Sequence, residues 1–265
     1  MKTAEFFATH PVFSLDEATA ALAPEGGRLG TVERLKYHLN VGTLKLVTRG
    51  VYASVPPGVP ADRFQPDPVL VAAAVRSEGV FSHHSALELL GAAHSVWHQC
   101  TLYVDKRRKP VHLNGTTIRF LDHPGPMRSS TGKQLGTMRV ERHGKLLRTT
   151  GPERTLVEGF RRPALAGGPE ELVRSASGFP TLDLDLLGNL LHEYGIANLW
   201  AAVGWFLERF QQSFYVPESM LDRLEEHRPR SPHYLERGQR GGVLVARWNL
   251  ILPETLASLG EPDER

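Results

Sequence analysis

Cysteine is nearly absent from this sequence: 265 residues hold one, Cys100. A single thiol cannot close an internal disulfide, so the core alone must hold the fold. No apolar run is long enough to span a bilayer, which argues against a membrane partner. The opening stretch, MKTAEFFATHPVF, lacks the long apolar segment of an export signal, and with one cysteine this points to the cytoplasm. The familiar catalytic loops are missing too. Gly132-Lys133-Gln134 has neither the leading glycine nor the trailing hydroxyl of a phosphate-cradling loop, and Gly-x-Ser-x-Gly does not occur. We therefore expect no catalytic residue, no enzyme activity and no cofactor. His83, His84, His94, His98 and Cys100 cluster in sequence but do not form matched ligand pairs, so no metal is predicted. Asp183 and Asp185, two apart on a helix, point to different sides and suit a helix start, with Thr181 as cap. Charge of either sign is not in large excess. The net charge is +2, and a pI near 8.7 says little about partners.

What is present is unevenly placed. From Arg28 to Arg49 there are five lysines and arginines and one acid, five minus one giving a local +4. The same stretch carries a structural pattern. Val32, Leu35 and Leu39 recur at helical spacing, and Thr31 and Gly42 read as the start and stop of a helix over 31–41. Leu44, Leu46, Val51 and Ala53 then alternate around Thr48-Arg49-Gly50, the pattern of a short hairpin. Upstream, residues 3–9 predict a short helix with Phe6 and Phe7 inward. Ser14 and Glu17 form a capping box opening a second helix, with Leu15, Ala18 and Leu22 on one face. Pro24-Glu25-Gly26-Gly27 is a turn by composition.

Helix, capped helix, turn, helix and basic hairpin make a winged helix-turn-helix within the first 55 residues. Such modules bind double-stranded DNA or, in other settings, protein. For DNA the polar helix face would enter the major groove, through Thr31, Arg34, Tyr37 and His38. The hairpin would touch backbone or minor groove through Lys45, Thr48 and Arg49. Arg34 suits guanine, which accepts a bidentate arginine.

Five prolines between Val55 and Pro68 mark a stiff linker over residues 56–68. The C-terminal domain, 69–265, reads as a small sheet followed by a helical bundle, so the fold class is α+β. Helices are predicted over 68–77, 84–90, 152–160, 170–176, 182–194, 198–210 and 218–227. Strands are predicted over 80–82, 99–105, 116–121 and 243–250, with a hairpin of 139–142 and 145–149 about His143-Gly144. Three basic clusters lie here: Lys106 to Lys109, the hairpin residues Arg139, Arg142, Lys145 and Arg148, and Arg237 with Arg240. Thr150 and Glu153 read as a second capping box, with Pro152 in the first turn and Arg154 following.

Taken in order, TRGVYAS, FSHHSALELLG, TTGPERTLVEGFRRPALAGGPEELV, GWFLERF and RGQRGGVLVARWNLILP resemble the AbiEi-type antitoxin family of type IV toxin–antitoxin systems, over about residues 14–253. The resemblance implies an autoregulatory repressor whose winged helix binds inverted repeats in its own promoter. It implies a C-terminal domain that counteracts a nucleotidyltransferase-like toxin, with or without stable contact. Its motifs fall on Thr48 to Tyr52, on Glu153, Arg154 and Thr155, and on Arg240, Gly241, Gly242, Arg247, Trp248 and Asn249. Glu153, Arg154, Arg240 and Arg247 are thereby candidates for the antitoxin function. Two alternatives stand beside this: an enzyme acting on nucleotide, RNA or protein through the second domain, with Glu153, Arg154, His83 and His84 as suspects, and a plain transcriptional regulator with a sensor domain.

Overall fold

The computed structural model describes residues 2–22, 26–106, 108–113, 115–236 and 238–258. The protein is α+β. The chain opens with α1 (Thr3–Thr9), β1 (Val12–Ser14), α2 (Leu15–Leu22), α3 (Gly27–Asn40), β2 (Leu44–Thr48) and β3 (Val51–Ser54). Strand order β1-β3-β2 completes the winged-helix arrangement. The predicted capping box forms in full: the Glu17 amide donates to Ser14 Oγ at 3.1 Å, and the Ser14 amide donates to Glu17 Oε2 at 2.7 Å. Phe6, Phe13, Leu15, Ala18, Leu22, Leu35, Leu44 and Tyr52 build the core of this module. Two residues turn β2 into β3, Arg49 and Gly50, and Gly50 takes φ +78°, which only glycine adopts freely.

Two expectations fail here. The third helix starts at Gly27, four residues before the predicted cap. Thr31 consequently lies a full turn inside it, buried, with its hydroxyl donating to the Gly27 carbonyl at 3.1 Å. Gly27 reads as a turn residue, yet the helix includes it and runs on through Gly30, with Leu35 and Thr31 anchoring its inner face. The predicted turn at Pro24-Glu25 lies outside the described residues.

Residues 55–67 form no regular element, in keeping with the four prolines they hold, and the fifth, Pro68, opens the next helix. Beyond them come α4 (Pro68–Val75), β4 (Val80–Phe81), α5 (His84–Leu89), β5 (Gln99–Val104), β6 (Val111–Leu113), β7 (Thr116–Asp122), α6 (Ser130–Gln134), β8 (Thr137–Arg142) and β9 (Lys145–Thr150). The six strands order as β6-β7-β5-β4-β9-β8, with β5 parallel to β7 and β6 antiparallel to it. Then follow α7 (Pro152–Arg161), α8 (Pro169–Ser177), α9 (Leu184–Tyr194), α10 (Ala197–Arg209) and α11 (Glu218–Glu226). The described chain ends with β10 (His233–Tyr234), β11 (Val243–Val245), β12 (Leu250–Leu252) and α12 (Glu254–Ala257). The predicted single strand over 243–250 is two strands, broken by a 3-10 turn at Ala246–Trp248 and by Asn249 in the left-handed region at φ +47°.

Compactness divides the chain into two units, and the division does not fall in the proline-rich stretch. One unit holds residues 1–80, 98–122 and 139–148; the other holds 81–97, 123–138 and 149–265. The cuts pass through β4, β8 and β9. The winged helix shares its unit with α4 and most of the sheet because α4 packs directly on β1. The hairpin β8–β9 adds ionic ties. Lys145 donates to Glu17 Oε1 at 2.7 Å, and Arg142 donates to Asp67 Oδ2 at 2.8 Å. In the second unit, Leu156, Val157, Leu172, Leu190, Leu191, Phe206, Leu221 and Trp248 are among the residues of one continuous core. Gly204 is required there: a Cβ would lie 2.1 Å from the Trp248 ring.

Candidate nucleic-acid interface and two arginine centres

Helix α3 turns Thr31 and Leu35 fully inward, with Val32 and Leu39 partly covered beside them. At 100° per residue the opposite face is centred on Leu29, Glu33, Lys36, Tyr37 and Asn40, with Arg34 on its flank. All six are exposed. Glu33 and Lys36 pair at 2.6 Å across that face. Arg34 makes no ion pair among the described residues, and neither does Arg49 at the hairpin turn.

The predicted interface residues therefore separate. Arg34, Tyr37 and Arg49 are presented to solvent. Thr31 is not; it belongs to the core. His38 is half-buried, its Nδ1 2.9 Å from Thr43 Oγ1 and its ring edge-on to Phe7. Burial, helped by Arg34, lowers its pKa, so it joins the fold as a neutral ring near neutral pH. Lys45 is turned away as well. Its ammonium donates to the carbonyl of Phe64 at 2.6 Å and of Asp62 at 3.4 Å, fastening the proline-rich stretch to β2. Thr48 is half-buried beside the bulge between Leu46 and Thr48. Lys36 and Asn40 share the exposed face and were missed. Counting the helical period from Gly27 would have found them.

Three of the second-domain candidates, Glu153, Arg154 and Arg247, are bound up in networks of the second unit. Arg154 is fully buried. It donates through Nε to Glu158 at 2.8 Å and through Nη1 to the carbonyls of Gly132, Lys133 and Leu135 at 3.1, 3.3 and 2.9 Å. Those carbonyls belong to the open C-terminal end of α6, where a cation is favoured. Glu158 also accepts from the Tyr194 hydroxyl at 2.5 Å. Burial and then the Glu158 charge push that phenol's pKa up. The predicted box between Thr150 and Glu153 does not form. The N-cap is Gly151, without a side-chain cap, and Thr150 pairs instead with the Thr155 hydroxyl at 2.7 Å. Glu153 accepts from the Asp183 amide at 2.8 Å, and Asp183, rather than Thr181, caps α9 by accepting from the Leu186 amide.

Arg247 is a second centre. Its guanidinium donates to Glu208 at 2.8 Å, Glu218 at 2.9 Å, Asp222 at 3.2 Å and Glu225 at 2.9 Å, and it lies over the Trp248 ring. Burial opposes its charge, but these carboxylates outweigh that and raise its pKa. Trp248 donates to the other oxygen of Glu208 at 2.6 Å. Arg240 is exposed, while Arg237 lies outside the described residues.

His83 and His84 are both buried. His83 takes φ +54°, and burial, reinforced by Arg162, Arg161 and Arg154, pushes its pKa down to about 3. His84 lies 3.3 Å from Glu171, whose same oxygen accepts from the amides of His94 and Ser95 and from the Ser175 hydroxyl. That carboxylate pins the 94–95 loop. Among the described residues no group of three or more His, Cys, Asp or Glu is arranged to hold a metal, and no helix is long and apolar enough to cross a membrane. Cys100 is buried within β5.

No family model matches the chain, and no curated protein matches it. Among solved structures it is similar to the crystal structure of the RV2827C protein from Mycobacterium tuberculosis. That likeness has a TM-score of 0.60 at 18% identity and covers 94% of this chain and 89% of that one. At this identity it is a likeness of fold.

Proposed function

We propose that this chain is a sequence-specific DNA-binding repressor that works as the antitoxin of an AbiEi-type toxin–antitoxin pair. The observation that supports the DNA reading is the outward face of α3. It carries Arg34, Lys36, Tyr37 and Asn40 on a helix set in a winged-helix arrangement, with Arg49 exposed at the adjoining turn. A major groove admits such a helix, and side chains of these types read base edges: arginine on guanine, asparagine on adenine. The antitoxin reading comes from the ordered sequence motifs. In it the second domain acts on a nucleotidyltransferase-like toxin in the cytoplasm and needs no cofactor. Glu153, Arg154 and Arg247 would serve it by holding the fold, since each is engaged internally, and Arg240 would be the candidate left at the surface.

Titrating the protein with its own upstream duplex and a scrambled duplex at two salt concentrations tests the DNA reading. A preference for the native duplex that survives the higher salt is expected. Arg34→Ala should cost about 1–3 kcal/mol at one base position and relax the choice there. Arg49→Ala should weaken both duplexes alike and lower the salt slope by about one unit. Equal, salt-fragile binding to both duplexes would sink the repressor reading. An adjacent gene with a nucleotidyltransferase signature would support the antitoxin half, and its absence would favour a plain regulator.

A further inference from the structure

The tip of the β8–β9 hairpin borders a half-open pocket of about 160 Å³. Its apolar lining is Pro11, Val12 and Leu70; its polar lining is Thr9, His10, Glu17, His143 and Lys145, with Gly144 at the turn. Every one of these residues lies in the same compact unit. The hairpin is held here by charge. Glu17 and Asp67 each use one oxygen in a helix start, Glu17 on the Ser14 amide and Asp67 on the Val69 amide. The other oxygen takes a cation of the hairpin, Lys145 and Arg142 respectively. Two ionic ties thus flank a space that apolar side chains leave unfilled. Thr9, His143 and Gly144 are exposed at its mouth, and a space of this size can hold a molecule as large as benzene.

We propose that this cavity binds a small carboxylate with a short apolar or aromatic body. Val12 and Leu70 would take the body. The carboxylate would sit on Lys145, whose ammonium has three donors and gives one to Glu17. The hairpin tip forms one rim, and Gly144 with His143 in the left-handed region (φ +77° and +49°) makes its tight turn. The occupant would touch β1 and α2 of the winged helix on one side and α4 and the hairpin on the other. A ligand in that position bears on both. The proposal is independent of the DNA reading.

The probe is benzoate, with benzyl alcohol as the neutral analogue, titrated into the full chain by calorimetry. The ring resonances of His10 and His143 would be followed by NMR. Benzoate is expected to bind in the millimolar range or tighter and to shift both histidines, with benzyl alcohol at least about tenfold weaker. Lys145→Met should cost benzoate about tenfold and leave benzyl alcohol unchanged. Leu70→Phe should abolish binding of both, with a far-UV spectrum matching the parent as the check on folding. Three outcomes would overturn the proposal. These are no benzoate binding to the unsubstituted chain at about 10 mM, binding that leaves both histidine rings unmoved, or equal affinity for the charged and neutral probes. None of the three needs a variant, so they decide the matter even where Leu70→Phe fails to fold.

Discussion

Arg34 and Arg154 occupy comparable places in the sequence, each inside an amphipathic helix next to a glutamate. In the structure they differ completely. Arg34 stands in solvent on α3, with no ion pair among the described residues. Arg154 is fully buried on α7, holds Glu158 and closes the carbonyl end of α6. Arg247 sides with Arg154, gathering carboxylates from α10 and α11. An arginine count therefore says how much charge a region carries, and only the partners within reach say whether that charge faces inward or out.

The sharpest test of this contrast is Arg154→Ala. It would leave the buried Glu158 carboxylate without its cation and the end of α6 without its cap. A loss of about 3–5 kcal/mol is expected, read as a fall in the urea midpoint. A shift below about 1 kcal/mol would place Arg154 with the exposed arginines and break the comparison.

His83 sharpens the picture of the same interior through pH. Its pKa is about 3 in the folded chain against an ordinary 6.5. Between these values the unfolded chain binds more protons. Its contribution to stability is therefore complete above about pH 6.5 and falls by up to about 1.4 kcal/mol per pH unit toward pH 3. The depressed His84 acts in the same direction. Urea unfolding across that window should show a shallower pH slope for His83→Asn than for the parent. Equal slopes would mean that His83 titrates normally.

In the winged helix the effects shrink. Ser14→Ala removes one arm of the capping box and should cost about 1 kcal/mol. Arg34→Ala should change stability by no more than about 0.5 kcal/mol. A larger loss would show that Arg34 has structural work after all.

The sequence was most legible where the interaction is local. Ser14 and Glu17 are three residues apart, and their reciprocal bonds form as spacing predicts. The predicted extents of helices α1, α7 and α9–α11 match to within a few residues, although the caps expected for α7 and α9 are not the ones the chain uses. The α+β class follows from their order. Short strands escaped: β1, β6 and β10 hold only two or three residues, too few to show alternation, and exist because a neighbouring strand pairs with them. Roles fixed by distant partners escaped as well. Arg154 meets carbonyls 19 to 22 residues upstream, Arg247 meets acids 22 to 39 residues upstream, and Lys45 reaches carbonyls 17 and 19 residues downstream. Nothing in their immediate surroundings distinguishes them from Arg34 or Arg49. The exposed face of α3 was half legible, because a wrong starting residue pulled Thr31 and His38 into it and left Lys36 and Asn40 out.

The lone thiol has a practical corollary. Cys100 is 3% exposed inside β5. A maleimide or a spin label reacts with accessible thiolates and would pass it by. A cysteine placed on the outward face of α3 or on the β8–β9 tip would then be labelled alone, with the native sequence otherwise intact. Both surfaces can be watched in one chemical background, without first engineering a cysteine-free parent.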